Sequence, residues 1–148
     1  MCGVLIPRRR CGPWQKKNRE SVNFDLEFIH SGAENIPLDD NSADTVLITY
    51  VLCSIPDVAA ALAEIRRALK PGGRVLFCEH GAAPDASVLK WQNRLNPVWQ
   101  KIAGGCHLNR QVFLMFEQSG FSVQEMDASY IPGWKPASFN YRGMAMPR

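Results

Sequence analysis

The sequence predicts an α/β domain on a mostly parallel sheet, and three adjoining stretches predict it. Thr45 to Leu52 (TVLITYVL) is β-branched and apolar without alternation, the pattern of a strand buried on both faces. Asp57 to Leu69 sets Val58, Leu62, Ile65 and Leu69 on one helical stripe. Arg74 to Glu79 (RVLFCE) is a second apolar strand. Between helix and strand stands Lys70-Pro71-Gly72-Gly73, where the prolyl ring bars further helix and glycine permits a positive φ. Strand, helix and strand so spaced form a right-handed crossover between parallel strands.

The other elements follow from similar signals. Residues 1–23 carry Pro7, Gly12 and Pro13 with neither helical nor strand period, and are read as a basic flexible leader to a domain at 24–148. Leu26 to His30 is a short strand, Ser31 to Asn35 a turn, and Pro37 blocks continuation. Asp39 to Ser42 is a polar loop. Val88 to Ile102 is helical, with an interruption expected near Asn96-Pro97, and Arg110 to Ser119 is a helix ended by Gly120. Phe121 to Tyr130 and Ala137 to Ala145 are strands joined across Pro132-Gly133-Trp134, an antiparallel closing pair.

The chain has 148 residues, the size of one domain, with 46% hydrophobic and 21% charged residues, which excludes a disordered chain. No apolar run approaches the ~20 residues that span a bilayer. Cys2 to Ile6 is too short for a signal-peptide core, and its arginines follow it. The net charge of +3 is uneven: residues 1–20 hold six basic residues and one acidic, the rest 11 basic and 13 acidic. A slightly acidic body argues against a nucleic-acid binder, and the basic leader is read as a solvated tail. The five cysteines are odd in number, widely spaced and without CxxC, which argues against a zinc site or disulfide framework and for a reducing, cytoplasmic setting. Cys53 and Cys78, inside apolar runs, are read as small core residues. Trp91, Trp99 and Trp134 are expected to pack a helical cover and line an apolar pocket.

No nucleophile elbow, P-loop or metal-binding helix motif is present. The informative signal is a series. SGAENIPLDDNSADTVLITYVLCSIPD, then EIRRALKPGGRVLFCEH, resembles the second half of a class I S-adenosylmethionine-dependent methyltransferase of the ubiquinone-biosynthesis-like group. WQNRLNPVWQKIAGGCHLNR narrows the resemblance to the group that includes thiol S-methyltransferases, through Gly-Cys-x-Leu-x-Arg after a tryptophan-rich helix. The resemblance spans about residues 26 to 147.

It implies a Rossmann-like, doubly wound sheet with the cofactor across the carboxyl ends of the strands. The usual strand order is 3-2-1-4-5-7-6, of which this chain is expected to supply strands 3 to 7. Strands 1 and 2, with a Gly-x-Gly-x-Gly loop and a ribose-binding acid, are expected to be missing, as in a truncated member. The implied cofactor is S-adenosylmethionine, and the implied reaction is methyl transfer to a small-molecule, thiol-bearing acceptor. Gly32, Ala33 and Glu34 would border the adenine, Thr49 and Tyr50 the methionine or adenosine portion, and His80 the substrate side. Many relatives have an acidic residue where Gly32 stands. No metal and no catalytic nucleophile is implied: Cys106-His107 has the makings of a thiolate–imidazole pair, but methyl transfer needs none, and packing is the expected role. The alternative reading is a non-catalytic remnant serving as an interaction module or inactive fragment. Without strand 1, the edge of Thr45 to Leu52 is expected either to be covered by Leu26 to His30 or to pair with a second copy as a homodimer.

Overall fold

The computed structural model describes residues 2–6 and 26–148. Of the expected leader, residue 1 and residues 7–23 lie outside the described residues, as do residues 24 and 25. Cys2–Ile6 does not fit that expectation: it is a strand, β1, paired in parallel with β2 (Leu26–His30) from Cys2↔Leu26 to Ile6↔His30. β2 therefore does not cross over to cover the next strand. β1 stands where the order 3-2-1 places strand 2, so among the described residues only strand 1 has no counterpart.

The main sheet has four strands: β3 (Ala43–Thr49), β4 (Leu69–His80), β5 (Phe121–Tyr130) and β6 (Phe139–Pro147), in the order β3-β4-β6-β5. This is the predicted 4-5-7-6 arrangement. β3 and β4 are parallel, whereas β6 is antiparallel to both β4 and β5. The crossover helix α1 (Val58–Ala68) starts where Asp57 caps it, its carboxylate accepting the Ala60 N–H at 2.9 Å. Leu62 and Ile65 from its apolar stripe are buried. Lys70 to Gly73 bulge out of the β3–β4 ladder, whose register jumps from Ala43↔Leu69 to Thr45↔Arg74.

The core lies on one face of this sheet. Ile48, Val75, Phe77, Phe121 and Ala145 pack against Leu62 and Ile65 of α1 and against Val112 and Phe116 of α3 (Val112–Gln118). Phe116 sits between Phe77 (centroids 4.6 Å apart) and Phe121 (5.8 Å, edge-on). The expectation of strands buried on both faces is not met. Leu47 is 70% exposed and Leu76 37% exposed, and Cys78, expected in the core, is only half-buried on the same face. No described helix covers that face there.

The helix after β4, α2 (Ala86–Ile102), runs without a break through Pro97, contrary to the expected interruption. Two buried amide side chains anchor it on either side of the proline's preceding turn. Gln92 accepts from Ala83 N and donates to the Gly81 and Pro136 carbonyls, all at 2.9 Å. Asn96 accepts from Leu108 N at 2.9 Å. Gly81, between β4 and α2, passes so close to the Arg110 carbonyl that a β-carbon would collide with it.

Candidate functional site

The chemistry-bearing residues gather beyond the carboxyl ends of β3 and β4. β3 stops at Thr49, three residues before the predicted end, because a neighbouring carboxylate captures the amides that follow. Glu79 Oε1 accepts Val51 N at 2.7 Å and Leu52 N at 3.1 Å. Tyr50 makes the bend with a left-handed φ of 50°, its N–H still donating to the Cys78 carbonyl. Its ring is half exposed and stacks at 6.3 Å on His80, and its hydroxyl donates to Asn140 Oδ1 at 2.6 Å. Burial raises the Glu79 carboxyl above the ordinary carboxylate range even though backbone amides bind it. Glu79 Oε2 has no partner among the described residues.

Beside this bend lies a cluster that sequence spacing does not reveal. Cys53, His80 and Cys106 place their sulfur and nitrogen atoms within 4.8 Å of one another. His80 Nε2 is 3.1 Å from Cys106 Sγ, while His80 Nδ1 is buried and without a partner among the described residues. Trp99 Nε1 donates to Cys106 Sγ at 3.3 Å. Burial pushes the Cys53 thiol up to about 12 and lowers the His80 imidazole below its usual value. Arg110 ties this region together: its guanidinium donates to the Leu52 and Ile55 carbonyls, the latter at 2.8 Å. It also lines a groove of about 410 Å³ with Pro56, Val58 and Gln111. The adjacent pair singled out in the sequence does not form. His107 turns away from Cys106, and its Nδ1 lies 3.1 Å from the Cys53 carbonyl. Cys106 and Arg110 both belong to the Gly-Cys-x-Leu-x-Arg segment, the one sequence signal that pointed here.

The predicted cofactor wall falls in two places. Thr49, Tyr50 and His80 are brought together at the β3–β4 ends. Gly32, Ala33 and Glu34 form the turn after β2, closed by Asn35 N donating to the Gly32 carbonyl at 3.2 Å. Among the described residues the N–H groups of Gly32, Ala33 and Glu34 have no acceptor, and no hydrogen bond links this turn to Tyr50 or His80. A β-carbon on Gly32 would come within 3.1 Å of Glu34 Oε2, so the glycine lets that carboxylate lie against the turn. Trp99 and Trp134 pack together at 5.4 Å as expected, but Trp91 is 56% exposed and packs no cover.

Residues 10–77 match the family model described as a methyltransferase domain. The chain is 39% identical over 116 residues to thiol S-methyltransferase TMT1B of Rattus norvegicus, covering 77% of this chain and 45% of that protein. It is 37% identical over 127 residues to the Homo sapiens protein of that name, covering 84% of this chain and 52% of that one. It thus spans about half the length of these curated relatives. In structure it is similar to a SAM-dependent methyltransferase of Methanosarcina mazei, with a TM-score of 0.73 at 15% identity, covering 97% of this chain and 81% of the other. It also superposes on the methyltransferase CalH, solved with SAH, with a TM-score of 0.61 at 18% identity, covering 90% of this chain and 39% of the other.

Proposed function

We propose that this chain transfers a methyl group from S-adenosylmethionine to a small-molecule thiol, a reading supported by its similarity in sequence to thiol S-methyltransferases and in fold to SAM-dependent methyltransferases. The observation that carries the reading is the bend after β3, where a parallel βαβ unit ends in an exposed tyrosine beside a buried imidazole. Open α/β sheets bind their ligands outside the carboxyl ends of such strands. The thiol acceptor rests on the thiol S-methyltransferases among the relatives.

The residues present fit the cofactor. The Gly32, Ala33 and Glu34 amides, without an acceptor among the described residues, and the Glu34 carboxylate supply both donors and an acceptor, the complement of an adenine edge. Thr49 and Tyr50 offer an exposed surface for the methionine or adenosine portion. S-adenosylmethionine, when bound, supplies an electrophilic sulfonium methyl. The protein's part is to hold an acceptor in line and exclude water. In this reading His80 borders the acceptor, and its Nδ1 is the polar atom available to orient it.

The three free cysteines among the described residues support a reducing compartment such as the cytoplasm. No described helix is long and apolar enough to cross a membrane. Calorimetric titration with S-adenosylhomocysteine tests the reading. Micromolar binding that Tyr50→Ala weakens about tenfold, the loss of one packed aromatic contact, is expected. Silence at millimolar ligand would favour the non-catalytic remnant.

A further inference from the structure

Three soft donors far apart in sequence converge at one buried point, and methyl transfer requires none of them to do so. Cys53 lies in the turn after β3, His80 at the end of β4 and Cys106 in the loop after α2. We propose that Cys53, His80 and Cys106 form a Cys₂His site for a thiophilic divalent cation, with zinc as its ordinary occupant.

The separations suit such an ion. Zinc–sulfur bonds of about 2.3 Å and zinc–nitrogen bonds of about 2.0 Å in a tetrahedron put neighbouring ligand atoms roughly 3.5–3.8 Å apart. The three donors already lie within 4.8 Å of one another, and the 3.1 Å from His80 Nε2 to Cys106 Sγ opens to that range by a small ring shift. Filling space accounts for two buried thiols, which behave as small hydrophobes. It does not account for an imidazole buried beside them with its other nitrogen unpartnered among the described residues.

The surroundings supply what metal thiolates need. The Trp99 indole N–H donates to Cys106 Sγ at 3.3 Å, and Arg110, held on the Leu52 and Ile55 carbonyls that flank Cys53, brings a guanidinium charge to the same region. Glu79 fixes the turn that carries Cys53 by holding its amides. Arg110 also lines the neighbouring groove. On binding, each thiol S–H bond breaks as a sulfur–metal bond forms, and the proton passes to solvent. Coordination through Nε2 leaves Nδ1 as an N–H donor. Three protein ligands leave a fourth tetrahedral position for a small donor molecule.

The site shares His80 with the methyl-transfer reading but does not depend on it, and it is tested without activity. Reduced, metal-free full-length chain is titrated with Co²⁺ and followed by absorption. The expected result is the intense visible bands of tetrahedral cobalt with a near-ultraviolet thiolate charge-transfer band, both abolished by Zn²⁺. Cys53→Ala and Cys106→Ala should each weaken binding about tenfold or more, and Cys78→Ser should leave it unchanged. Absence of these bands from folded wild-type protein overturns the proposal, whether or not the variants fold. So does their persistence in both alanine variants.

Discussion

Glu79 shows how one side chain decides where a strand stops. Its sequence context, RVLFCEH, marks a strand end but not the partner of the carboxylate. That partner is the Val51–Leu52 backbone, 27 and 28 positions away. Removing the carboxylate leaves two amides in the interior without an acceptor, each costing about 1–3 kcal/mol. Glu79→Ala is therefore expected to lose about 2–4 kcal/mol in urea denaturation, with Glu79→Gln losing less because its carbonyl still accepts. The residues of the site were partly legible. Tyr50 and His80 were singled out only by the family resemblance, and Cys53 and Cys106 read as filler because their spacing matches no ligand motif. Only folding brings the ends of β3, β4 and α2 together.

At the level of elements, local pattern was a good guide wherever a face packs. The stripe of α1 and the closing antiparallel pair were readable because side-chain period is a local property. Pro97 misled because α2 continues through it; the buried Gln92 and Asn96 on the turn before it are anchored by contacts with Gly81, Ala83 and Leu108. The loop before β3 is fastened to α1 in a comparable long-range way. Arg67 donates to the Ile36 and Leu38 carbonyls at 2.8 Å and pairs with Asp40, while Glu64 accepts the Ile36 N–H at 3.0 Å. Arg67, and then the Ile36 amide, hold the Glu64 carboxyl below its ordinary 4.5. The unfolded chain thus takes up this proton at higher pH than the folded one. The stabilisation is complete above pH 4.5 and is lost as pH falls below it through the folded-state value. Denaturation curves at neutral pH and below pH 4.5 should show wild type losing more stability between the two than Glu64→Gln.

For the whole molecule, the sheet order was predicted from resemblance, and the one surprise came from the amino-terminal residues. A five-residue apolar run ahead of three arginines has too little pattern to mark a strand, yet Cys2–Ile6 pairs along the full length of β2. That pairing leaves β3 at the edge of the four-stranded sheet with no strand beyond it among the described residues, next to an exposed Leu47. We infer that two copies associate through this edge, since an unpaired apolar strand recruits another chain. Sedimentation velocity should show a dimer whose fraction rises with concentration, and Leu47→Lys should shift it to monomer. A wild-type monomer at all concentrations would remove the idea. The sheet order also bears on synthesis. β6 follows β5 in the sequence but is inserted between β5 and β4. A nascent chain that has emerged only as far as β5 cannot join that hairpin to the rest of the domain. The four-stranded sheet cannot close until Phe139–Pro147 is available to pair with both β4 and β5.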